Sequence, residues 1–386
     1  MTPIRISIVT ETYVPDVNGV ANSLRHLISS LDSKRYRVQI IRTTPKKNWL
    51  PEEEEIWTSG ITIPMYPDLQ IGLPAKNKIS SAWQQFQPDL IFIATEGPLG
   101  YSALKEAQRR TLPVLSAFHT NFHRYSSYYG FGWIKNLTLN WLRRFHNKTL
   151  ATLVPSRESA DFLRQSDFLN VHVLPHGVDC ELFHPKRRSI QLRQQWGITP
   201  EQPVALYVGR IAAEKNIPQV ISSFRQCQQQ HPDLRLVMVG DGPMRDELEQ
   251  QNPDIVFAGV KTGEALARHY ASSDCFVFAS LTETFGLVTL EAMASGLPVV
   301  AYDLAAASQF IRNGENGYLA PGEDTDNFTQ AFQQLLNLDL SEAGKTARTH
   351  AEQASWSAVA DLFDHHVKQA LYCEPVTVSA KIQTMV

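Results

Sequence analysis

The chain has 386 residues, with 36 basic against 39 acidic side chains and a formal net charge of -3. That length exceeds one ordinary core and implies two domains of about 150–200 residues each, while the charge balance excludes bulk attraction to nucleic acid or to an anionic bilayer. Cys180, Cys227, Cys275 and Cys373 form neither a CxxC pair nor a disulfide framework, which suits a reducing cytosol and argues against a structural zinc site.

The run from Ile4 to Val9, interrupted by Arg5 and followed by Thr10-Glu11-Thr12, reads as a first strand and not as the apolar region of a signal peptide. No apolar run approaches the roughly 18–20 residues that span a bilayer, so any membrane association is expected to be peripheral. The turn Val14-Pro15-Asp16-Val17-Asn18-Gly19-Val20-Ala21 follows and opens a helix. Further strands are predicted at Arg37 to Ile41, Asp89 to Ala94 and Val114 to Phe118. They alternate with amphipathic stretches, which is the rhythm of a parallel, doubly wound α/β sheet. His119 comes directly after an apolar strand, in the run Ser116 to Tyr125, and so near the ligand-binding edge of that sheet. The segment from Trp133 to Phe145 mixes aromatic, aliphatic and basic residues at helical spacing. It either packs on the first domain or rests on a bilayer surface.

A proline-marked stretch from Leu174 to Pro185 separates this set of elements from a second one. The expected division is a first domain at 1–185 and a second at 186–354, a helix at about 355–372 packing back on the first, and a flexible tail at 373–386. Strands of the second set fall at Val204 to Val208, Arg235 to Val239, Ile255 to Phe257, Cys275 to Ala279 and Pro298 to Ala301. The first of them runs into Gly209-Arg210-Ile211-Ala212-Ala213-Glu214-Lys215-Asn216, which sets two cations behind a strand end. Gly240-Asp241-Gly242 starts like a dinucleotide fingerprint, but Arg245 replaces its third glycine and Gly259-Val260-Lys261 stands where the acidic residue belongs, so an NAD site is not expected. Ser280 to Gly296 turns into a helix at about Gly286 and ends at Gly296 before Pro298. A helix throughout would hold Glu283 and Glu291 roughly 12 Å apart, the span between the two ends of a nucleotide sugar. Spacing alone equally fits Glu283 stabilising a helix start and Glu291 on a solvated face. Asp324-Thr325-Asp326 precedes an amphipathic helix and reads as a cap, not as a metal-binding DxD. Phe328, Phe332, Leu335 and Leu336 share one helical face, and Trp356, Val359, Phe363 and Val367 another.

The segment from Glu283 to Ala301 resembles the E-x7-E signature of the retaining glycosyltransferases of family 4, whose fold is called GT-B, and the resemblance extends over nearly the whole chain. It implies two Rossmann-like, doubly wound domains facing a central cleft that holds a nucleotide-sugar donor. By that resemblance Arg210 and Lys215 hold the donor diphosphate, Gly19 faces it, and Glu283, Phe285, Gly286 and Leu287 bind the donor sugar. His119 and Glu283 act at the reaction centre, and the backbone at Val260 and the carboxylate of Glu291 take the nucleoside. Many relatives have Gly-Gly where this chain has Asn18-Gly19, which weakens Asn18 as a backbone contact. Fixed cations suit a leaving diphosphate that gains charge in the transition state, and neither a metal nor a cofactor is expected.

The implied reaction is retaining transfer of a hexose to a hydroxyl of a lipid or glycan. Its details look closest to the GDP-mannose-dependent α-mannosyltransferases and the glycolipid-forming hexosyltransferases. A UDP-hexose donor with a diacylglycerol acceptor is the alternative enzyme, while a non-catalytic nucleotide-sugar-binding protein or a sugar-phosphate phosphorylase-like enzyme is an alternative of another kind. The expected location is cytoplasmic, with peripheral contact to the inner membrane face, and nucleic acid is not an expected partner.

Overall fold

The computed structural model describes residues 2–16, 18–45, 50, 54–63, 66–119, 132–281, 283, 285–322 and 324–372. The tail expected at 373–386 and the 120–125 part of the His119 motif lie outside the described residues, as do the side chains of Trp133, Ile134 and Lys135. The chain divides into two compact units, Met1–His176 with Trp356–Val386, and Gly177–Ser355.

The first unit contains β1 (Ile4–Val9), α1 (Gly19–Ser30), β2 (Tyr36–Thr43), β3 (Glu55–Thr58), β4 (Gly60–Ile63), β5 (Tyr66–Gly72), α2 (Lys76–Phe86), β6 (Leu90–Ile93), α3 (Pro98–Arg109), β7 (Val114–Ala117), α4 (Gly132–His146), β8 (Ala151–Val154), α5 (Arg157–Gln165) and β9 (Val171–Val173). Seven strands form a sheet in the order β3-β2-β1-β6-β7-β8-β9, every adjacent pair parallel. Its central strands are continuous apolar runs because helices cover both faces, so every side chain of β6 and β7 is buried. The pair β4 and β5 forms a separate antiparallel hairpin.

The second unit contains α6 (Ile190–Gln195), β10 (Val204–Val208), α7 (Ile217–Gln230), β11 (Arg235–Val239), α8 (Arg245–Gln251), β12 (Val256–Gly259), α9 (Gly263–Ala271), β13 (Cys275–Phe278), α10 (Leu287–Ala294), β14 (Val299–Tyr302), α11 (Ala305–Phe310), β15 (Gly317–Ala320), α12 (Thr325–Leu336) and α13 (Leu340–Gln353). Its six strands are ordered β12-β11-β10-β13-β14-β15 and are also parallel. Asp324 caps α12 by accepting from the Asp326 N–H at 2.8 Å, and Phe328, Phe332 and Leu335 are fully buried beneath that helix.

After Ser355 the chain returns to the first unit as α14 (Trp356–Tyr372). Trp356, Val359, Phe363 and Val367 join the core under β1, β6 and β7, and Phe363 meets Phe92 edge-on at 5.1 Å. Burying each such side chain contributes about 1.5–3 kcal/mol, enough to hold a terminal helix against the entropy of leaving it loose.

Both strand orders reverse direction once, between β1 and β6 in the first unit and between β10 and β13 in the second. Loops that leave neighbouring strands at such a reversal run to opposite faces and open a crevice at the carboxyl edge, where α/β sheets bind ligands.

Candidate functional site

At the reversal in the second unit, one wall is the loop after β10. Tyr207 sends its hydroxyl to the Arg210 carbonyl at 2.9 Å, and Asn216 adopts a left-handed conformation at φ 53° that turns the chain into α7. Gly240 and Gly242, the false fingerprint, support this loop from below. A Cβ at Gly240 would stand 1.9 Å from the Gly209 carbonyl oxygen, and one at Gly242 would stand 2.3 Å from that of Ile211. Only glycine allows that approach, and the Ile211 N–H then donates to the Asp241 carbonyl at 2.9 Å.

The loop after β13 is the other wall. Lys215 and Glu283 reach across the reversal to form a hydrogen-bonded ion pair, and Ser280 donates its hydroxyl to the same Glu283 oxygen at 2.7 Å. Arg210 is 66% exposed and pairs with Glu214 at 3.1 Å, so the two cations differ: one is pinned and half-buried, the other extends into solvent. Gly286 sits before the first residue of α10 at φ 84°, ψ 55°, and as the N-cap it brings no side-chain cap to that helix. A Cβ there would make only an ordinary contact, 3.6 Å from Glu283 Cγ, so backbone conformation and not space makes this position glycine. The first-turn N–H groups and the helix's partial positive charge face the same crevice end as the cations.

The helix begins at Leu287, directly after the expected start at about Gly286, so the separation that an uninterrupted helix through Glu283 would give does not apply. The ring of Phe285 is 3% exposed and belongs to the core, which leaves its backbone as what it can offer a sugar; Leu287 is partly buried against the same core.

Glu291 is not on a solvated face. It is half-buried on α10, and its Oε2 accepts the Tyr270 hydroxyl at 2.9 Å. Although part of its surface reaches solvent, desolvation pushes its carboxyl up to about 7, with the Tyr270 bond opposing the rise. Val260 follows β12 with its side chain 64% exposed, a hydrophobic surface at the edge where the resemblance assigns the base.

In the first unit, Gly19 is the first residue of α1, and a Cβ on it would meet nothing within 4 Å. Asn18 is committed elsewhere: its Oδ1 accepts from the Ala21 N–H at 3.0 Å and its Nδ2 donates to Thr12 at 2.6 Å. His119 follows β7, at the carboxyl edge of that unit's own sheet. Neither of its ring nitrogens has a hydrogen-bond partner among the described residues, and burial lowers its pKa to about 4. Its ring lies 5.8 Å from that of His176. Both line a cavity of about 30 Å³ with Ser23, Phe92 and Trp356, room for about one or two waters.

Sequence reading missed Ser280 and Tyr270. Ser280 lies inside the quoted motif and would have been found by asking which hydroxyl could reach Glu283; Tyr270 is 21 residues from its partner and leaves no periodic trace.

The comparisons with known proteins agree with this architecture. The profile described as Glycosyl transferases group 1 matches residues 189–354, and that described as Glycosyltransferase Family 4 matches residues 17–182. The chain is 30% identical over 368 residues to the GDP-mannose-dependent alpha-mannosyltransferase of Corynebacterium glutamicum, covering 93% of this chain and 85% of that one. It is 30% identical over 339 residues to the alpha-monoglucosyldiacylglycerol synthase of Streptococcus pneumoniae, covering 83% and 76%. Sucrose-phosphate synthase from Thermosynechococcus elongatus has a TM-score of 0.72 at 21% identity, over 96% of this chain and 100% of that one. Two parallel-sheet units of this kind define the GT-B class of sugar-transferring enzymes. The chain belongs to the family 4 glycosyltransferases.

Proposed function

We propose that this enzyme transfers mannose from GDP-mannose to a hydroxyl of a lipid or glycan, with retention at the anomeric carbon. The observation that carries the donor site is the meeting of Lys215 and Glu283 across the strand-order reversal of the second unit, beside the start of α10. On this reading Lys215 and Arg210 take the charge that grows on the departing diphosphate, and the α10 N–H groups bind its oxygens. Gly19 admits the diphosphate to the α1 backbone. Glu283, released from Lys215, orients the sugar hydroxyls together with the backbone of Phe285, Gly286 and Leu287, while Val260 and Glu291 take the nucleoside. His119 is neutral at physiological pH, so its imidazole can both donate to and accept from a sugar hydroxyl. Positive charge from protein groups suffices for the leaving group, and activity that persists in EDTA is the expected result.

The donor sugar and base follow the Corynebacterium relative. The pneumococcal relative favours a second reading, a UDP-hexose donor and a diacylglycerol acceptor. No helix among the described residues is long and apolar enough to cross a membrane. On α4, Leu137 is 64% and Trp141 41% exposed, with Arg143 and Arg144 in the last turn, a surface suited to peripheral contact with an anionic inner leaflet. The test is a thermal-shift panel of GDP- and UDP-sugars followed by turnover of the labelled donor with membrane extract. A shift with GDP-mannose and formation of a mannosylated product is expected. A shift confined to UDP-sugars selects the second reading, and a shift without any glycoside makes the chain a binding protein.

A further inference from the structure

We infer that Tyr270 is a positioning residue for the nucleoside end of the donor site, its hydroxyl holding one oxygen of Glu291 so that the other is presented to the ribose hydroxyls. The inference rests on the proposed donor reading and deepens it. Tyr270 is fully buried in the last turn of α9. Its ring stands edge-on to Phe183 at 5.6 Å and against Phe276 at 5.7 Å, so the hydroxyl has a fixed direction. That hydroxyl donates to Glu291 Oε2 at 2.9 Å, with the Val288 carbonyl at a longer 3.4 Å. Glu291 Oε1 makes no hydrogen bond to a described residue and keeps both lone pairs for a ligand.

The same helix ties the two ends of a nucleoside together. Val260 stands three residues before Gly263, the first residue of α9, and Tyr270 stands at that helix's other end. A carboxylate that meets a ribose hydroxyl must be ionised and correctly turned, and half-burial works against the first condition. The Tyr270 hydroxyl serves both, because a bond to the charged form favours ionisation while it sets the carboxylate plane. Tyr270 is the ionisable group facing Glu291, and Tyr207 stands behind it.

Calorimetric titration of the full chain with GDP, UDP and their 2′-deoxy counterparts at pH 8 tests this. The tighter-binding ribonucleotide should exceed its deoxy form by about ten-fold in wild type, the usual scale for a hydrogen bond to a charged group. Tyr270→Phe should weaken the ribonucleotide by about five- to ten-fold and leave the deoxy form within about two-fold. Glu291→Gln should do the same, with no further loss in the double variant. In wild type the preference should fade as pH drops through about 7, where the Glu291 carboxyl titrates, and in Tyr270→Phe it should fade at higher pH. Equal weakening of both nucleotides by Tyr270→Phe, or no weakening, overturns the inference while leaving the donor reading intact. If wild type itself does not distinguish ribose from deoxyribose, the assignment of Glu291 to the nucleoside fails, and the inference with it. Should Tyr270→Phe fold too poorly to titrate, Glu291→Asp draws the carboxylate away from an unaltered Tyr270; it should lose the ribose preference, and retention of that preference overturns the inference.

Discussion

Lys215 and Arg210 carry the same formal charge in one loop, yet their surroundings make them unequal. Lys215 neutralises Glu283 in the half-buried crevice, whereas Arg210 is largely solvated and paired with a neighbour four residues on. Removing Lys215 takes its ammonium away from a half-buried carboxylate to which the Ser280 hydroxyl still donates, a loss worth about 1–3 kcal/mol. Removing Arg210 changes an exposed pair whose contribution is typically about 0–1 kcal/mol. Both Lys215→Ala and Arg210→Ala should abolish the donor-induced thermal shift, because each removes one of the diphosphate contacts proposed above. Only Lys215→Ala should also lower the unfolding temperature of the ligand-free enzyme. Equal ligand-free stability of the two variants, measured by calorimetry, would mean that the Lys215–Glu283 pair contributes nothing to the fold.

Glu291 is carried by α10, whose far end is held by backbone packing. α10 ends at Ala294, two residues before Gly296, which is left-handed at φ 79°, and there α13 crosses closely: a Cβ on Gly344 would stand 2.2 Å from the Gly296 carbonyl oxygen. Arg348 of α13 donates to the carbonyls of Ala294 and Phe183 and closes the helix end. Gly344→Ala cannot be absorbed by a side chain swinging away, because the obstacle is backbone. The substitution should reduce unfolding free energy by about 1–3 kcal/mol, read from the urea midpoint, and an unchanged midpoint would show that α13 slides at no cost.

Elements of this kind were unevenly legible in the sequence. Strands β10, β11 and β13 stand out because burial on both faces demands unbroken apolar runs, and the faces of α12 and α14 follow from helical periodicity. The hairpin β4–β5 was not anticipated, since Ile61 and Ile71 point partly to solvent and break the pattern that marks a core strand. Three-residue β9 and glycine-led β15 are too short or too weak to announce themselves. At the site, Arg210, Lys215 and Glu283 were singled out through the resemblance to family 4 motifs, each motif standing in a loop directly behind a strong strand. That Lys215 and Glu283 are bonded to each other, across 68 residues, depends on the order of the strands, which no local pattern encodes.

At the scale of the molecule, the two units should respond differently to acid. Burial pushes the pKa of His119 down to about 4 and those of His146, His176 and His366 to about 3, and all four lie in the first unit. Each remains neutral in the fold but takes up a proton near pH 6.5 once unfolded, so the stability tied to the neutral form is complete above 6.5 and is lost as pH falls toward 4 and then 3. The loss approaches about 1.4 kcal/mol per pH unit for each histidine within that window. Glu11 opposes it: desolvation lifts its carboxyl to about 7, so the folded form holds that proton more tightly and gains stability between pH 7 and the ordinary carboxylate range near 4.5. One carboxyl against four histidines leaves a net loss in the first unit. The second unit holds Glu291, which titrates in the stabilising direction, and its His184 and His269 are lowered. Hydrogen exchange of the full chain between pH 7 and 4.5, corrected for intrinsic rates, should therefore show peptides from 1–176 and 356–372 losing protection before those from 177–355. Simultaneous loss would mean that the buried histidines of the first unit do not set its acid limit and that the two units unfold as one.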